Sequence, residues 1–176
     1  GSKLPISQNI ELTAGLVETA HAAGVSVEGE VGLVGYAEGA ASAVTAPDEA
    51  ARFDRESGVD ALAISIGNVH LQTEKTAGID FAALAAIEAV TRQPLVLHGG
   101  SGIPIDVRRK LARESRVCKF NIGTELRMAF GEALRRTVAD DPNLFDRLDL
   151  LKPTISAVRE CTAEVISTLR HPEAAS

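Results

Sequence analysis

Pro94-Leu95-Val96-Leu97-His98-Gly99-Gly100-Ser101-Gly102-Ile103-Pro104 is the stretch around which the rest of the chain can be arranged. A short apolar run bounded by proline and glycine reads as a strand buried on both faces. The run stops at a histidine and a glycine-rich turn, and Pro104 stands where the first turn of a helix can begin. Such a strand end puts His98 at the rim of a sheet. The N–H groups of residues 99–102 are then free to approach an anion, helped by the N-terminus of the following helix. Glycines in a tight strand-to-helix turn are equally explained by backbone conformation alone. What favours the chemical reading is that the chain repeats the arrangement.

Working outward, residues 8–23 place Ile10, Leu12, Leu16, Val17 and Ala20 at helical spacing, and Gly24 closes that helix. A strand over 25–31 carries Glu28 and Glu30, and a polar, glycine-rich loop runs from 32 to 44. Thr45-Ala46-Pro47-Asp48 offers a capping side chain and an early proline, predicting a helix that ends near Gly58. A second strand over 61–66 leads to Gly67-Asn68-Val69-His70, and a helix over 79–92 precedes the strand at 94–98. A helix over 104–115 follows, then a strand over 117–122 and a long helix from Thr124 to about Asp140. Leu151, Ile155, Val158, Val165, Ile166 and Leu169 mark a last amphipathic helix, and 171–176 read as a frayed tail.

Strand–helix alternation of this kind means a parallel sheet with right-handed crossovers. A doubly wound sheet and a (β/α)8 barrel both fit, and in either the chemistry gathers at the carboxyl ends of the strands. Four strands are too few to close a barrel. The 176 residues are enough for one domain with a real core, and no linker marks a second. Hydrophobic content of 45% with only 3% aromatic predicts a core of Ala, Val, Leu and Ile, as helix-on-sheet layering uses. A net charge of −6 without a basic stripe argues against a nucleic-acid partner. No apolar run approaches transmembrane length, and Gly1-Ser2 does not resemble a signal peptide. Cys118 and Cys161 suggest neither a disulfide framework nor a zinc knuckle, so a reduced, cytoplasmic protein is expected.

Read together, the strand ends present Glu28 and Glu30, then His70, then His98-Gly99-Gly100-Ser101, then Asn121-Ile122-Gly123-Thr124. Two histidines and a carboxylate on neighbouring strand ends form a donor set of the kind catalytic zinc uses with one position open. Either histidine alone could be satisfied by backbone at the rim; finding both at equivalent strand ends favours the metal. Asn121 and Thr124 stand where a phosphate or hydroxyl could be held, and Thr124 could equally serve as a helix cap.

The segments VSVEGEVG, DALAISIGNVH, PLVLHGGSGIP and KFNIGTELRMAF, in that order and spacing, resemble the class II, metal-dependent ketose-bisphosphate aldolases. The resemblance covers nearly the whole chain. Family members are complete (β/α)8 barrels, and this chain resembles the part that begins just after the fourth strand. The resemblance implies a metal-dependent aldol cleavage of a ketose 1,6-bisphosphate or related phosphosugar to dihydroxyacetone phosphate and an aldehyde. It implies that His70 and His98 bind Zn2+ or another divalent metal, and that Glu30 binds or lies beside it. It further implies that Glu38 moves the substrate's proton, that Gly99 and Ser101 cradle a phosphate, and that Asn121 and Thr124 hold the dihydroxyacetone phosphate half. A third metal histidine and a catalytic aspartate of the family belong to the half absent here, so the chain alone is expected to be inactive and to associate, as a homo-oligomer. Family members carry glycine after the histidine matching His70; here Leu71 follows, Lys75 is displaced by one position, and Tyr36 and Gly39 replace a common glycine and acid. A side chain at 71 obstructs backbone approach to a phosphate. The alternative is a half barrel that binds a phosphosugar or a partner chain without turnover.

Overall fold

The computed structural model describes residues 1–35 and 43–169; Glu38 and the tail 171–176 lie outside the described residues. The chain divides into two compact units, Gly1–Asn121 and Ile122–Ser176. The described residues form six α-helices and four strands.

In the first unit, helix α1 (Ile6–Ala22) precedes strand β1 (Glu28–Glu30), helix α2 (Pro47–Ser57), strand β2 (Ala61–Ile64), helix α3 (Phe81–Val90), strand β3 (Leu95–Leu97), helix α4 (Ile105–Glu114) and strand β4 (Val117–Phe120). The strands lie in the order β1-β2-β3-β4, and every neighbouring pair is parallel. The predicted elements are all present, with strands shorter than the predicted runs.

Register assigns the two faces of the sheet. Gly29 pairs with Leu62, Leu62 with Leu95, and Ile64 with Leu97. Leu62, Ile64, Leu95 and Leu97 are fully buried and share one core with Phe53, Leu84, Ile87 and Leu111 from the helices. Gly29 is required on this face, because a Cβ there would stand 2.7 Å from the Phe53 ring and 2.8 Å from Val59. The opposite face carries Glu28, Ala61, Glu30, Ala63, Val96 and Lys119, linked by the same pairings. In a flat sheet β1 and β4 would lie three strand spacings apart, roughly 14 Å. Yet Lys119 Nζ on β4 stands 2.6 Å from Glu28 Oε2 on β1. The sheet must therefore curl toward this polar face, with small Ala61 and Ala63 between, as an arc of a barrel wall does.

One local expectation changes. Thr45 does not cap α2, whose N-cap is Ala46 without a side-chain bond. Its buried hydroxyl instead donates to the Val31 carbonyl and accepts from Ser65 N–H, tying the ends of β1 and β2. Near the end of α1, His21 Nε2 meets the Asp60 carboxylate at 2.9 Å, and the same oxygen accepts from Val27 N–H. The His21 and Val27 hydrogen bonds outweigh the cost of desolvation and hold the Asp60 carboxyl below its usual 3.8.

The second unit pairs helix α5 (Thr124–Asp140) with helix α6 (Arg147–Leu169). Helix α6 begins a turn before the first apolar residue of its stripe, because Asp146 Oδ1 caps the N–H groups of Leu148 and Asp149. Pro153 lies inside this helix, in its second turn. Among the described residues no helix is long and apolar enough to cross a membrane.

Candidate active site at the strand ends

β3 ends at Leu97, so His98 projects at the rim on the polar face, in step with Val96 and Ala63. Its ring stands between two glutamates of β1: Nε2 lies 3.1 Å from Glu28 Oε1, and Nδ1 lies 3.7 Å from Glu30 Oε1. Glu28 accepts a second hydrogen bond, at 2.6 Å, from the Lys119 ammonium. Burial pushes the Glu28 carboxyl up, but hydrogen bonds from Lys119 and His98 outweigh it and hold the group below 4.5.

His70 arrives from beyond β2. Its backbone N–H donates to Gly35 at 2.8 Å, and its ring centroid lies 5.8 Å from that of His98. Burial, aided by the nearby His98 and opposed by Glu30, lowers His70 below the usual 6.5, which leaves the ring neutral at neutral pH. A neutral imidazole offers a lone pair.

Asn68 joins the two histidine segments. It is fully buried; its Oδ1 accepts from Ile66 N–H at 2.7 Å, and its Nδ2 donates to the His98 carbonyl at 2.9 Å. Removing it would strand both buried backbone groups.

The glycine-rich turn is held tightly. Gly99 has φ 65, and a Cβ there would stand 2.3 Å from the Val69 carbonyl oxygen. Glycine is needed at 99 for packing against the His70 segment as well as for backbone freedom. Residues Gly100–Gly102 form a short 3-10 turn. The Gly100 amide donates to the Asn121 carbonyl and the Gly102 amide to the Gly99 carbonyl, so these two amides are engaged within the protein and do not face an anion as expected. Beneath the turn, the fully buried Arg108 of α4 donates from Nη2 to the Gly100 and Ile103 carbonyls, at 3.0 and 3.3 Å. Nothing in the sequence spacing distinguishes this arginine from a solvated helix residue.

The fold therefore gathers Glu30, His70, His98, Gly99, Ser101 and Asn121 at one rim, with Ser101 buried in the turn and Asn121 bonded through its backbone to Leu97 and Gly100. Thr124 opens α5 in the second unit, as the first helical residue after the N-cap Gly123, so it does not act as the cap. Glu38 falls outside the described residues. Asn68, Arg108 and Lys119 are additions that the sequence reading does not assign to the site, and Glu28, read there only as an acid at its strand end, contacts His98 directly.

Two imidazoles and a carboxylate are donors that a divalent metal of the zinc kind accepts, and the neutral His70 ring suits that use. Among the described residues no group of three or more His, Cys, Asp or Glu side chains stands close enough to hold an ion as placed. The donors fit a metal in chemistry but supply a partial set.

Leu71 carries the unusual backbone of the site. It adopts φ 57, the only non-glycine residue at positive φ among those described, and its side chain is 52% exposed. A left-handed conformation costs a non-glycine residue about 1–2 kcal/mol, while glycine gives back about 0.5–1 kcal/mol in chain entropy. Leu71→Gly is therefore expected to raise unfolding stability by about 0.5 to 1 kcal/mol, and Leu71→Ala to bring no such gain. Urea denaturation of the two variants checks this; a glycine variant less stable than the alanine one would mean the strain is not real.

The family described as class-II fructose-bisphosphate aldolase matches residues 1–173. The chain is 36% identical over 171 residues to the fructose-bisphosphate aldolase of Geobacillus stearothermophilus, covering 94% of this chain and 58% of that protein. It is 41% identical over 165 residues to the 6-phospho-5-dehydro-2-deoxy-D-gluconate aldolase of Bacillus licheniformis, covering 91% of this chain and 56% of the relative. Among solved structures, the YdjI aldolase of Escherichia coli K12 superposes with a TM-score of 0.76 at 30% identity, over 100% of this chain and 60% of that one. The chain thus spans little more than half the length of the relatives it matches, and its curled parallel sheet is part of a (β/α)8 aldolase barrel.

Proposed function

The chain belongs to the class-II fructose-bisphosphate aldolase family, and from that premise we propose that it supplies the metal-binding and phosphate-binding rim of a metal-dependent aldolase acting on a phosphorylated ketose in the cytoplasm. The reaction is reversible cleavage to dihydroxyacetone phosphate and an aldehyde, with a ketose 1,6-bisphosphate or a related phosphosugar as substrate. The observation that supports it most is the meeting of His98, His70 and Glu30 at strand ends, beside the Gly99 turn and Asn121.

His70, His98 and Glu30 would hold a divalent ion such as zinc, together with a ligand from outside this chain. When bound, such an ion supplies Lewis-acid polarisation of the substrate carbonyl. The protein's own groups do the rest. Gly99 and Ser101 line the phosphate end, while Asn121 and Thr124 hold the dihydroxyacetone phosphate half. Glu38 transfers the proton at the nucleophilic carbon. Rigid placement of the Gly99 turn by Asn68 and Arg108 favours one substrate pose.

The test uses a barrel completed by supplying the preceding half from a family relative. Dihydroxyacetone phosphate in heavy water should lose a proton from its nucleophilic carbon, followed by NMR. Glu38→Gln should retain zinc but slow this exchange about 100-fold or more, the range typical of a general acid–base group. Exchange at the unaltered rate would assign the proton to another residue.

A second reading, binding without turnover, draws on one observation: directly after His70, Leu71 carries an exposed side chain on a left-handed backbone of the kind that favours glycine. Zinc-dependent exchange in the completed barrel would exclude it.

A further inference from the structure

The outer face of α3 is unlike those of its neighbours. Helices α2 and α4 turn charged residues to solvent, among them Glu49, Arg55, Arg109 and Arg113. On α3 every exposed position is apolar: Phe81, Ala82, Ala85, Ala86, Ala89 and Val90. Helix propensity explains exposed alanines, but not Phe81 at 38% exposure or Val90 at 47%. A helix that is apolar all round belongs in an interior. The other half of a barrel does not supply that interior. α3 connects β2 to β3, the two central strands, whereas further strands would join at the edges of β1 and β4.

The groove beside this face says what covers it. Helices α1, α2 and α3 pack side by side, while α4 stands off from α3 and leaves a cavity of about 160 Å3. Phe81, Ala85, Glu88, Lys110 and Glu114 are among its lining residues. Its two ends differ in charge. At one, the Lys110 ammonium sits over the Phe81 ring, 4.7 Å from the centroid. At the other, one turn further along α4 and two along α3, stand Glu114 and Glu88. Glu88 Oε1 accepts from the Arg116 N–H at 2.6 Å, and Glu114 is exposed.

A groove with a cationic aromatic end and an acidic end is complementary to its own copy turned end for end. A twofold axis over Ala85 and Ala86 runs a second α3 antiparallel to the first, where small side chains allow a close interhelical approach. The same axis lays the partner's Phe81 and Lys110 over the Glu88 and Glu114 end of the groove. The reverse contact follows by symmetry.

We propose that the outer face of α3, with the groove it shares with α4, is a homodimer surface on which two copies of this chain pack α3 antiparallel and pair Lys110 of each with Glu114 of the other. The proposal needs neither metal nor substrate, and it leaves the sheet edges aside. Helices of 10 residues cover an area at the low end of specific interfaces, so the association should depend visibly on protein concentration.

Cysteine linking reads the orientation. In a Cys118→Ser, Cys161→Ser background, Ala86→Cys should give a disulfide-linked dimer on mild oxidation, because residue 86 lies beside the axis. Ala82→Cys alone should not link, whereas Ala82→Cys mixed with Ala89→Cys should. Both the 176-residue chain and the completed barrel are oxidised; the barrel closes the sheet edges and carries the test if the isolated chain is unstable. Sedimentation of the completed barrel over a range of concentrations then gives the association constant. Ala86→Arg should weaken it by about tenfold or more, and Lys110→Glu or Glu114→Lys alone by about threefold to tenfold. Combining Lys110→Glu with Glu114→Lys should restore it, which a merely structural defect would not do. Linking at 82 as readily as at 86, unchanged association in Ala86→Arg, or no rescue by the double exchange would overturn the proposal. So would an Ala86→Cys chain that links only to a different protein in a lysate, which would assign the face to a foreign partner.

Discussion

Zinc held by the completed barrel is expected to fall from one ion per site to background in His98→Ala, and equally in His70→Ala. The two rings face each other across 5.8 Å, and each is placed by contacts that survive loss of the other. His98 is anchored through its backbone by Asn68 and through its ring by Glu28, while His70 is fixed by its bond to Gly35. Truncating one imidazole therefore removes a ligand without moving its neighbour. Losing one of the two imidazoles leaves a weakened set that does not retain zinc against a competitor. His70 is already neutral at neutral pH, so no proton has to leave it when metal binds. Lowering the pH below the usual imidazole value of 6.5 should weaken zinc binding as the His70 ring charges. Elemental analysis after dialysis against a weak chelator reads the result. Unchanged zinc in both variants would remove the metal from this rim.

Much of this arrangement is legible in the sequence, and the part that is not has a common cause. Strand and helix positions follow from local periodicity, so α1 to α5 and all four strands fall where apolar spacing, Gly24, Gly58 and Pro47 put them. The histidines are visible because each follows a strand run, His98 directly after Leu97 and His70 in the loop beyond Ile64. The Glu28–Lys119 contact is invisible, because its partners are 91 residues apart and meet only when the sheet curls. Arg108 reads as an ordinary charged position on an amphipathic helix, yet it is buried under the Gly100 turn. Leu71 could be read as an obstruction from its side chain, but the cost lies in its backbone, whose φ of 57 no pattern reveals. Thr45 looks like a helix cap, and its hydroxyl is claimed by two strand ends instead. In each case the missing information is tertiary.

The second large expected effect is loss of turnover in the isolated chain. β1 and β4 each have one edge without a strand partner among the described residues, leaving rows of backbone groups that a closed barrel would pair. The polar face with Ala61 and Ala63 is shaped for a barrel interior. As placed, no group of three suitable side chains gathers among the described residues, and the proposed ion needs a further ligand from outside this chain. The chain should therefore self-associate or be unstable, and cleave nothing. The measurement that bears most directly on the account is a retro-aldol assay with fructose and tagatose 1,6-bisphosphates, run beside sedimentation, on the 176-residue chain alone and in the completed barrel. The account predicts an associated, inactive chain alone, and zinc-dependent release of dihydroxyacetone phosphate from the completed barrel that His98→Ala abolishes. A stable monomer of the isolated chain that turns over substrate would contradict it.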